Sequence, residues 1–221
     1  REASGKGQPL IVAEGYMDVI ALSEAGFGAT VAPLGTAVTE DQLQLLWRIH
    51  DEPIIALDGD KAGLRAAMRV IDLALPLLEA GKSLRFCIMP EGLDPDDLIR
   101  TEGAGAMQRH LEGSVPLVQL LWRRETEGKN FDSPERKAAL DKTLRDQIKQ
   151  IADPSIRSHY GQEIKDLRWQ LFRPAKQTGA RPARSQGRGG WTAPPQPPMP
   201  STKASVLVTD ADGRSAQHLR E

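Results

Sequence analysis

The chain of 221 residues has a single cysteine, Cys87, which rules out an internal disulfide and any zinc site built from several thiolates. Its four histidines, His50, His110, His159 and His218, are scattered and follow no ligand spacing. Long apolar runs are missing. Leu73 to Leu78 is among the longest, far short of the roughly 20 residues that cross a bilayer, so no membrane partner is expected. No segment joins a basic start, an apolar stretch and a small-residue cleavage site. No G-x-S-x-G elbow, Walker loop or zinc pattern appears. These absences fit a cytoplasmic protein. The chain opens on Arg1 rather than methionine, which reads as a piece of something longer.

Charge is present in quantity but unevenly placed. The net charge of −1 hides 15 acidic and 7 basic side chains in residues 9–100, 11 and 12 in residues 101–172, and 3 and 8 in residues 173–221. An acidic block grips nucleic acid poorly by itself, because duplex affinity comes largely from Lys and Arg on phosphates. Either metal ions reverse the local sign, or basic surface is supplied from elsewhere.

Six carboxylates in three short motifs account for much of that block: Glu14 and Asp18, Asp58 and Asp60, Asp94 and Asp96. Each motif follows a short apolar run that reads as a buried strand. Strands are expected at Pro9 to Ala13, Ala29 to Pro33, Ile54 to Leu57 and Ser83 to Met89. Helices are expected at Tyr16 to Glu24, from a Thr39 cap to about His50, at Ala62 to Glu79, and from Pro95 through Ile99. Alternation at this spacing predicts a parallel, doubly wound sheet. Sites in such sheets form beyond the carboxyl ends of the strands, where Glu14, Asp58 and Asp94 fall. Carboxylates gathered there repel one another unless something positive lies between them. Hard divalent cations such as Mg²⁺ take oxygen ligands of this kind. The pattern points to metal-dependent phosphoryl transfer.

After Thr101 the strand signals stop. Residues 104–111, 115–127, 134–151 and 155–172 read as helices, the third capped by Asp132 or Ser133 with Pro134 at its first position. The expected division is 1–100 for the metal-binding sheet domain, 101–172 for a small all-helical subdomain, and 173–221 for a disordered Pro/Gly/Arg-rich linker, since Arg181 to Pro200 is too poor in apolar surface to order itself.

The wording of the motifs is specific. Glu14-Gly15-Tyr16-Met17-Asp18-Val19-Ile20, Leu34-Gly35-Thr36-Ala37, Asp58-Gly59-Asp60-Lys61-Ala62-Gly63 and Gly92-Leu93-Asp94-Pro95-Asp96-Asp97-Leu98 together resemble the Toprim region of DnaG-type bacterial DNA primases. The resemblance runs from about Pro9 to Phe172. It implies a Toprim-type parallel sheet with helices on both faces, followed by the helical part of the core. It implies two or more Mg²⁺ or Mn²⁺ ions held by Glu14, Asp18, Asp58, Asp60, Asp94 and Asp96, with Glu14, Asp58 and Asp60 catalytic. Lys61 is a possible phosphate contact. The implied activity is nucleotidyl transfer in the bacterial replisome: ribonucleoside triphosphates joined into an RNA primer on a single-stranded DNA template. The family's zinc-binding module and basic N-terminal half have no counterpart here. The replicative helicase is expected to bind through a C-terminal domain not contained in the chain, and the isolated piece is expected to be weakly active or inactive.

Blander readings stand beside these. Asp58-Gly59-Asp60 taken alone is a turn. Asp18, Asp96 and Asp97 favour helix starts. Lys61 suits a solvated helix entrance, Gly35-Thr36-Ala37 a tight loop, and the Arg-rich tail a solvated linker. Gly59 and Gly63 read as backbone necessities. A Toprim nuclease or topoisomerase remains an alternative, though neither Tyr16 nor Tyr160 looks placed as a nucleophile. So does a non-catalytic scaffold that binds nucleic acid.

Overall fold

Apolar side chains on consecutive strand positions point to opposite faces of a sheet, so a strand with no polar position must be covered on both sides. Ile54-Ile55-Ala56-Leu57 is buried at every residue. The computed structural model, which describes residues 2–5, 7–33 and 37–173, places this segment at the centre of a five-stranded sheet. After a short opening turn, α1 (Glu2–Gly5), the order is β1 (Ile11–Val12), α2 (Tyr16–Glu24), β2 (Thr30–Val31), α3 (Glu40–Trp47), β3 (Ile54–Leu57) and α4 (Lys61–Ala74). It continues with β4 (Arg85–Ile88), α5 (Pro95–Glu102), α6 (Ala104–Glu112), β5 (Val115–Pro116), α7 (Leu117–Thr126), α8 (Pro134–Ile148) and α9 (Pro154–Phe172).

The strands lie in the order β2-β1-β3-β4-β5. Ile11 pairs in parallel with Thr30 on one side and Ile54 on the other. The connection leaving β1 therefore turns to one side, and the one leaving β3 turns to the other. The crevice between their carboxyl ends is the topological switch point, the usual place for a site in an open α/β sheet.

Two cores cover the two faces. Val12, Ile55, Leu57 and Phe86 pack with residues of α3, α4, α7, α8 and α9. Ile11, Ile54, Ala56 and Cys87 pack with α2, α5 and α6. Leu117, Leu120, Leu121, Leu140, Leu144, Ile148 and Ile164 all belong to the first core, so the late helices complete the burial of the sheet.

Local chemistry sets the helix boundaries. Thr39 accepts from the Gln42 N–H, and the Gln42 side chain accepts from the Thr39 N–H, a reciprocal cap. Ser133 caps α8 with Pro134 at its first position, and Asp153 caps α9 through the Ser155 and Ile156 N–H groups.

Two expectations need correction. The helix expected to reach Glu79 ends at Ala74 and tightens to a 3₁₀ turn over Leu75–Leu77, because Pro76 has no N–H to continue the ladder. The sheet is not wholly parallel: β5 runs antiparallel to β4, with Val115 opposite Phe86 and Pro116 opposite Arg85. Those two residues had read as the start of a helix. A two-residue edge strand has no period to reveal it, and an edge tolerates proline. The buried Ser114 anchors it, since its hydroxyl accepts from Arg85 Nε at 2.9 Å and its carbonyl from Arg85 Nη2. The Leu34-Gly35-Thr36 loop and the 174–221 tail lie outside the described residues.

Candidate metal-binding active site

Glu14 follows β1 and Asp58 follows β3, one on each side of the switch point. The Asp58 N–H donates to Glu14 Oε1 at 3.3 Å, which ties the two strand ends together. Asp60 caps α4: its Oδ1 accepts from the Ala62 and Gly63 N–H groups, each at 2.7 Å. The turn can form only around glycine. A Cβ on Gly59 would lie 1.8 Å from the Pro90 carbonyl oxygen, and one on Gly63 would lie 2.3 Å from that of Asp58.

That close approach joins the loop after β3 to the loop after β4. The Gly59 N–H donates to the Leu93 carbonyl at 2.9 Å, and the Gly92 N–H to the Gly59 carbonyl at 3.0 Å. Asp94 is thereby brought to the same edge, where it caps α5 through the Asp97 N–H at 2.6 Å. Pro95 follows at the first helical position. Asp96 lies 4.0 Å from Arg100 Nη1, and Arg100 also pairs with Asp97. From the other side comes Asp18 of α2, only 7% exposed, accepting from the Gly15 N–H at 3.1 Å.

The electrostatics bind these positions into one system. Burial raises the Asp58 carboxyl to about 7, with Glu14, Asp18, Asp94 and Asp60 adding like-charge repulsion. Burial also raises Asp18, which feels Asp94 and Asp96, although N–H donors from Gly15 and Asp96 pull the other way. Asp58 thus feels Glu14, Asp18, Asp94 and Asp60, and Asp18 feels Asp94 and Asp96, across a single edge of the sheet. They are nevertheless not gathered as a finished ligand shell: among the described residues no three Asp, Glu, His or Cys side chains form a ready metal-holding group. Glu14, Asp18, Asp60 and Asp94 each have an oxygen engaged by backbone N–H groups. The helix-start roles of Asp18, Asp60 and Asp94 are thus real and coexist with membership of the cluster.

One atom breaks the pattern. Asp58 Oδ1 is buried and has no hydrogen-bond partner. A buried carboxylate oxygen left unpaired is costly. Its carboxylate neighbours offer hard oxygen ligands, a chemistry that fits a divalent cation.

Lys61 is the exposed first residue of α4. Arg65 and Arg69 follow at four-residue steps, which places all three on one helical face, and none has an ion-pair partner among the described residues. Arg69 lines a cavity of 310 Å³ beside Glu14. Arg65 and Arg69 escaped the sequence reading, although their spacing from Lys61 was the signal for them. Cys87 is core, and burial raises its thiol to about 12.

An open sheet with its acidic loops in this order defines a Toprim module, and residues 8–87 match the Toprim domain model. Residues 121–167 match the model described as the DnaB-helicase binding domain of primase. The DNA primase of Rickettsia typhi is 45% identical over 168 residues, covering 76% of this chain and 28% of that protein. A DNA primase domain from Pseudomonas aeruginosa is structurally similar at a TM-score of 0.68 and 34% identity, covering 72% of this chain and 50% of that one. A DnaG primase catalytic domain bound to single-stranded DNA gives 0.66 and 37%, covering 72% and 51%. The chain belongs to the DnaG-type bacterial DNA primases, of which it carries the Toprim domain and the helical region that follows. It spans under a third of the length of the curated relatives that it matches.

The second family match bears on the expected helicase partner. The helicase-binding part was expected outside this chain, beyond a linker near Arg173. The matched segment instead runs from the middle of α7 into α9.

Proposed function

We propose that this chain is the metal-binding catalytic portion of a replicative primase, a DNA-dependent RNA polymerase that joins ribonucleotides into short primers on single-stranded DNA. The observation that carries the reading is the buried, unpartnered Asp58 Oδ1 at the switch point, pressed by four neighbouring carboxylates. In this reading Asp58 is the central ligand. Glu14, Asp60 and Asp94 lie beside it, and Asp18 and Asp96 complete the acidic edge. Two divalent ions bound there would lower the pKa of the primer 3′-hydroxyl and neutralise the triphosphate and departing pyrophosphate.

The protein's own side chains have separate tasks. Burial and like-charged neighbours raise the Asp58 carboxyl to about 7, so a cation at the edge would draw it into its charged, ligating form. The Asp58 N–H holds Glu14 in place, while Gly59 and Gly63 keep the two loops close enough to share ligands. Lys61, Arg65 and Arg69 offer cations along one face of α4 to phosphate groups. In this reading the division at about residues 100 and 172 is one of task alone: sheet for chemistry, helices for support and docking, tail as linker. The partners in this reading are single-stranded template, nucleotides and primer at the acidic edge, and a DnaB-type helicase at residues 121–167. A cytoplasmic replisome is the setting; among the described residues no helix is long and apolar enough to cross a membrane.

The acidic edge lacks the template-gripping basic half that the family supplies elsewhere, so the chain alone should bind divalent metal and prime weakly or not at all. Glu14→Gln, Asp58→Asn and Asp60→Asn, placed in the full-length protein, test the reading. Primer synthesis should be lost with template binding retained; unchanged synthesis would overturn it. Against a topoisomerase, the Tyr160 hydroxyl is raised to about 12 by burial, which suits packing rather than nucleophilic attack.

A further inference from the structure

A tryptophan left in water forgoes one of the largest burial gains that a side chain offers. Trp47 is 6% exposed and takes that gain, whereas Trp169, in the last turn of α9, is 61% exposed. Leu171 beside it is 45% exposed. The helix packs through Ile164, its buried residue. Neither the core nor the helix therefore requires a large ring at position 169.

The surroundings of that ring are cationic. Arg173, at the C-cap of α9, holds its guanidinium 4.8 Å from the Trp169 ring centre. Lys165 lies four residues before Trp169, on the same helical face. The next ring, Phe172, is met by Lys137 at 5.0 Å and by Arg168 at 5.9 Å. Of the nearby carboxylates, Asp141 pairs with Arg168 at 2.8 Å, and Asp166 accepts from the Gln162 amide at 3.1 Å. Lys137, Lys165 and Arg173 have no carboxylate partner among the described residues. An exposed ring set among unpaired cations is the arrangement that holds a single strand, with a base on the ring and phosphates on the cations.

We propose that the end of α9 is a second contact for single-stranded DNA, with a base stacked on Trp169 and flanking phosphates on Lys165 and Arg173. The contact lies on a different element from the acidic edge and uses no metal ion. The choice of DNA over RNA rests on the primase reading, in which RNA exists only as a short primer paired with its template. Chemistry decides among the other occupants. Residues 173–221 hold 8 basic and 3 acidic side chains and are repelled by Lys165 and Lys137. A second copy sets the same cations against one another. A peptide anchor needs a walled pocket, whereas a ring that stands mostly in solvent offers the flat face that suits a base.

The test uses the whole chain, a fluorescent oligo-dT of about 12 nucleotides, and EDTA, which removes any contribution of metal at the acidic edge. The strand should bind, and more weakly as salt rises. Trp169→Ala should weaken binding about tenfold, the loss of one stacked base, while Trp169→Phe keeps most of it. Lys165→Ala/Arg173→Ala should lower the slope of log affinity against log salt by about 1.4, at about 0.7 per phosphate on a single strand. A bromouracil-substituted strand should cross-link to Trp169. Unchanged thermal midpoints in these surface variants separate a lost contact from a damaged fold. No binding in EDTA, or equal affinity in Trp169→Ala, overturns the site. Tighter binding of oligo-rU than of oligo-dT overturns the choice of strand. An acidic peptide that binds as tightly, with the same dependence on Trp169, overturns nucleic acid as the occupant. Each of these failures leaves the primase reading standing, which falls instead if Glu14→Gln, Asp58→Asn and Asp60→Asn retain primer synthesis.

Discussion

The acidic sheet edge and the three late helices treat charge in opposite ways. At the edge, Glu14, Asp18, Asp58, Asp60 and Asp94 crowd together, and among the described residues no lysine or arginine pairs with any of them. In the helical region Glu125, Asp132, Asp141 and Asp146 each have a cation at hand. Arg124 bridges to Asp72 and Glu125, Lys129 reaches Glu125, Arg136 reaches Asp132, and Lys149 reaches Asp146. The helical pattern is what stability asks of a surface. The edge pattern costs stability and persists only where something outside the chain supplies the missing positive charge. Buried, crowded charge of one sign therefore marks the site more reliably than the amount of charge.

The largest expected effect tests the loop contact that assembles the edge. Gly59→Ala places a Cβ against the Pro90 carbonyl, which cannot move without breaking the Leu93 and Gly92 hydrogen bonds. It should destabilise the fold by about 3 kcal/mol or more in denaturant unfolding. A loss below about 1 kcal/mol would mean that the two loops are not held together as described.

Next comes the crowding itself. Asp58 has its carboxyl raised to about 7 from the ordinary 3.8, so the stability that it contributes is fully present below pH 4 and is lost as pH rises through 7. Asp58→Asn should therefore raise the thermal stability of the metal-free protein at pH 8 and leave it nearly unchanged at pH 4. With allowance for screening by solvent, the gain is on the order of 1 kcal/mol. The same substitution should abolish stabilisation by added Mg²⁺, which in the unaltered chain should be larger at pH 8 than at pH 6. Thermal melts across that pH range with and without the ion check both. Equal melts for the two proteins at pH 8 would mean that neither burial nor the neighbouring carboxylates penalise the Asp58 charge.

The helical side yields smaller effects. Arg124→Ala strips the mostly buried Glu125 of one of its two cations and should cost about 1–2 kcal/mol. Arg136→Ala breaks a pair in which both partners are more than half exposed, and should cost under about 0.5 kcal/mol. If the order of these two were reversed, pairing in the helices would reflect something other than burial.

Much of this was legible in the residues. Thr39, Ser133 and Pro134 announced their helices because caps act over three or four positions. Glu14, Asp58 and Asp94 announced an edge because each follows a buried strand. Arg65 and Arg69 were legible in spacing from Lys61 and were passed over. Val115 and Pro116 were not legible as a strand, since pairing with Phe86 and Arg85 depends on residues some thirty positions away.

The sequence by itself determined the identity and order of the elements and the acidic loops, because periodicity, capping and motif spacing are local properties of a chain. Tertiary structure alone decided that Asp58 keeps one buried oxygen unpaired, that its charge is suppressed by four others, and that β5 closes the sheet in the opposite sense. Those outcomes are sums over neighbours brought together from distant positions, and burial and Coulomb repulsion depend on distance through space rather than along the chain.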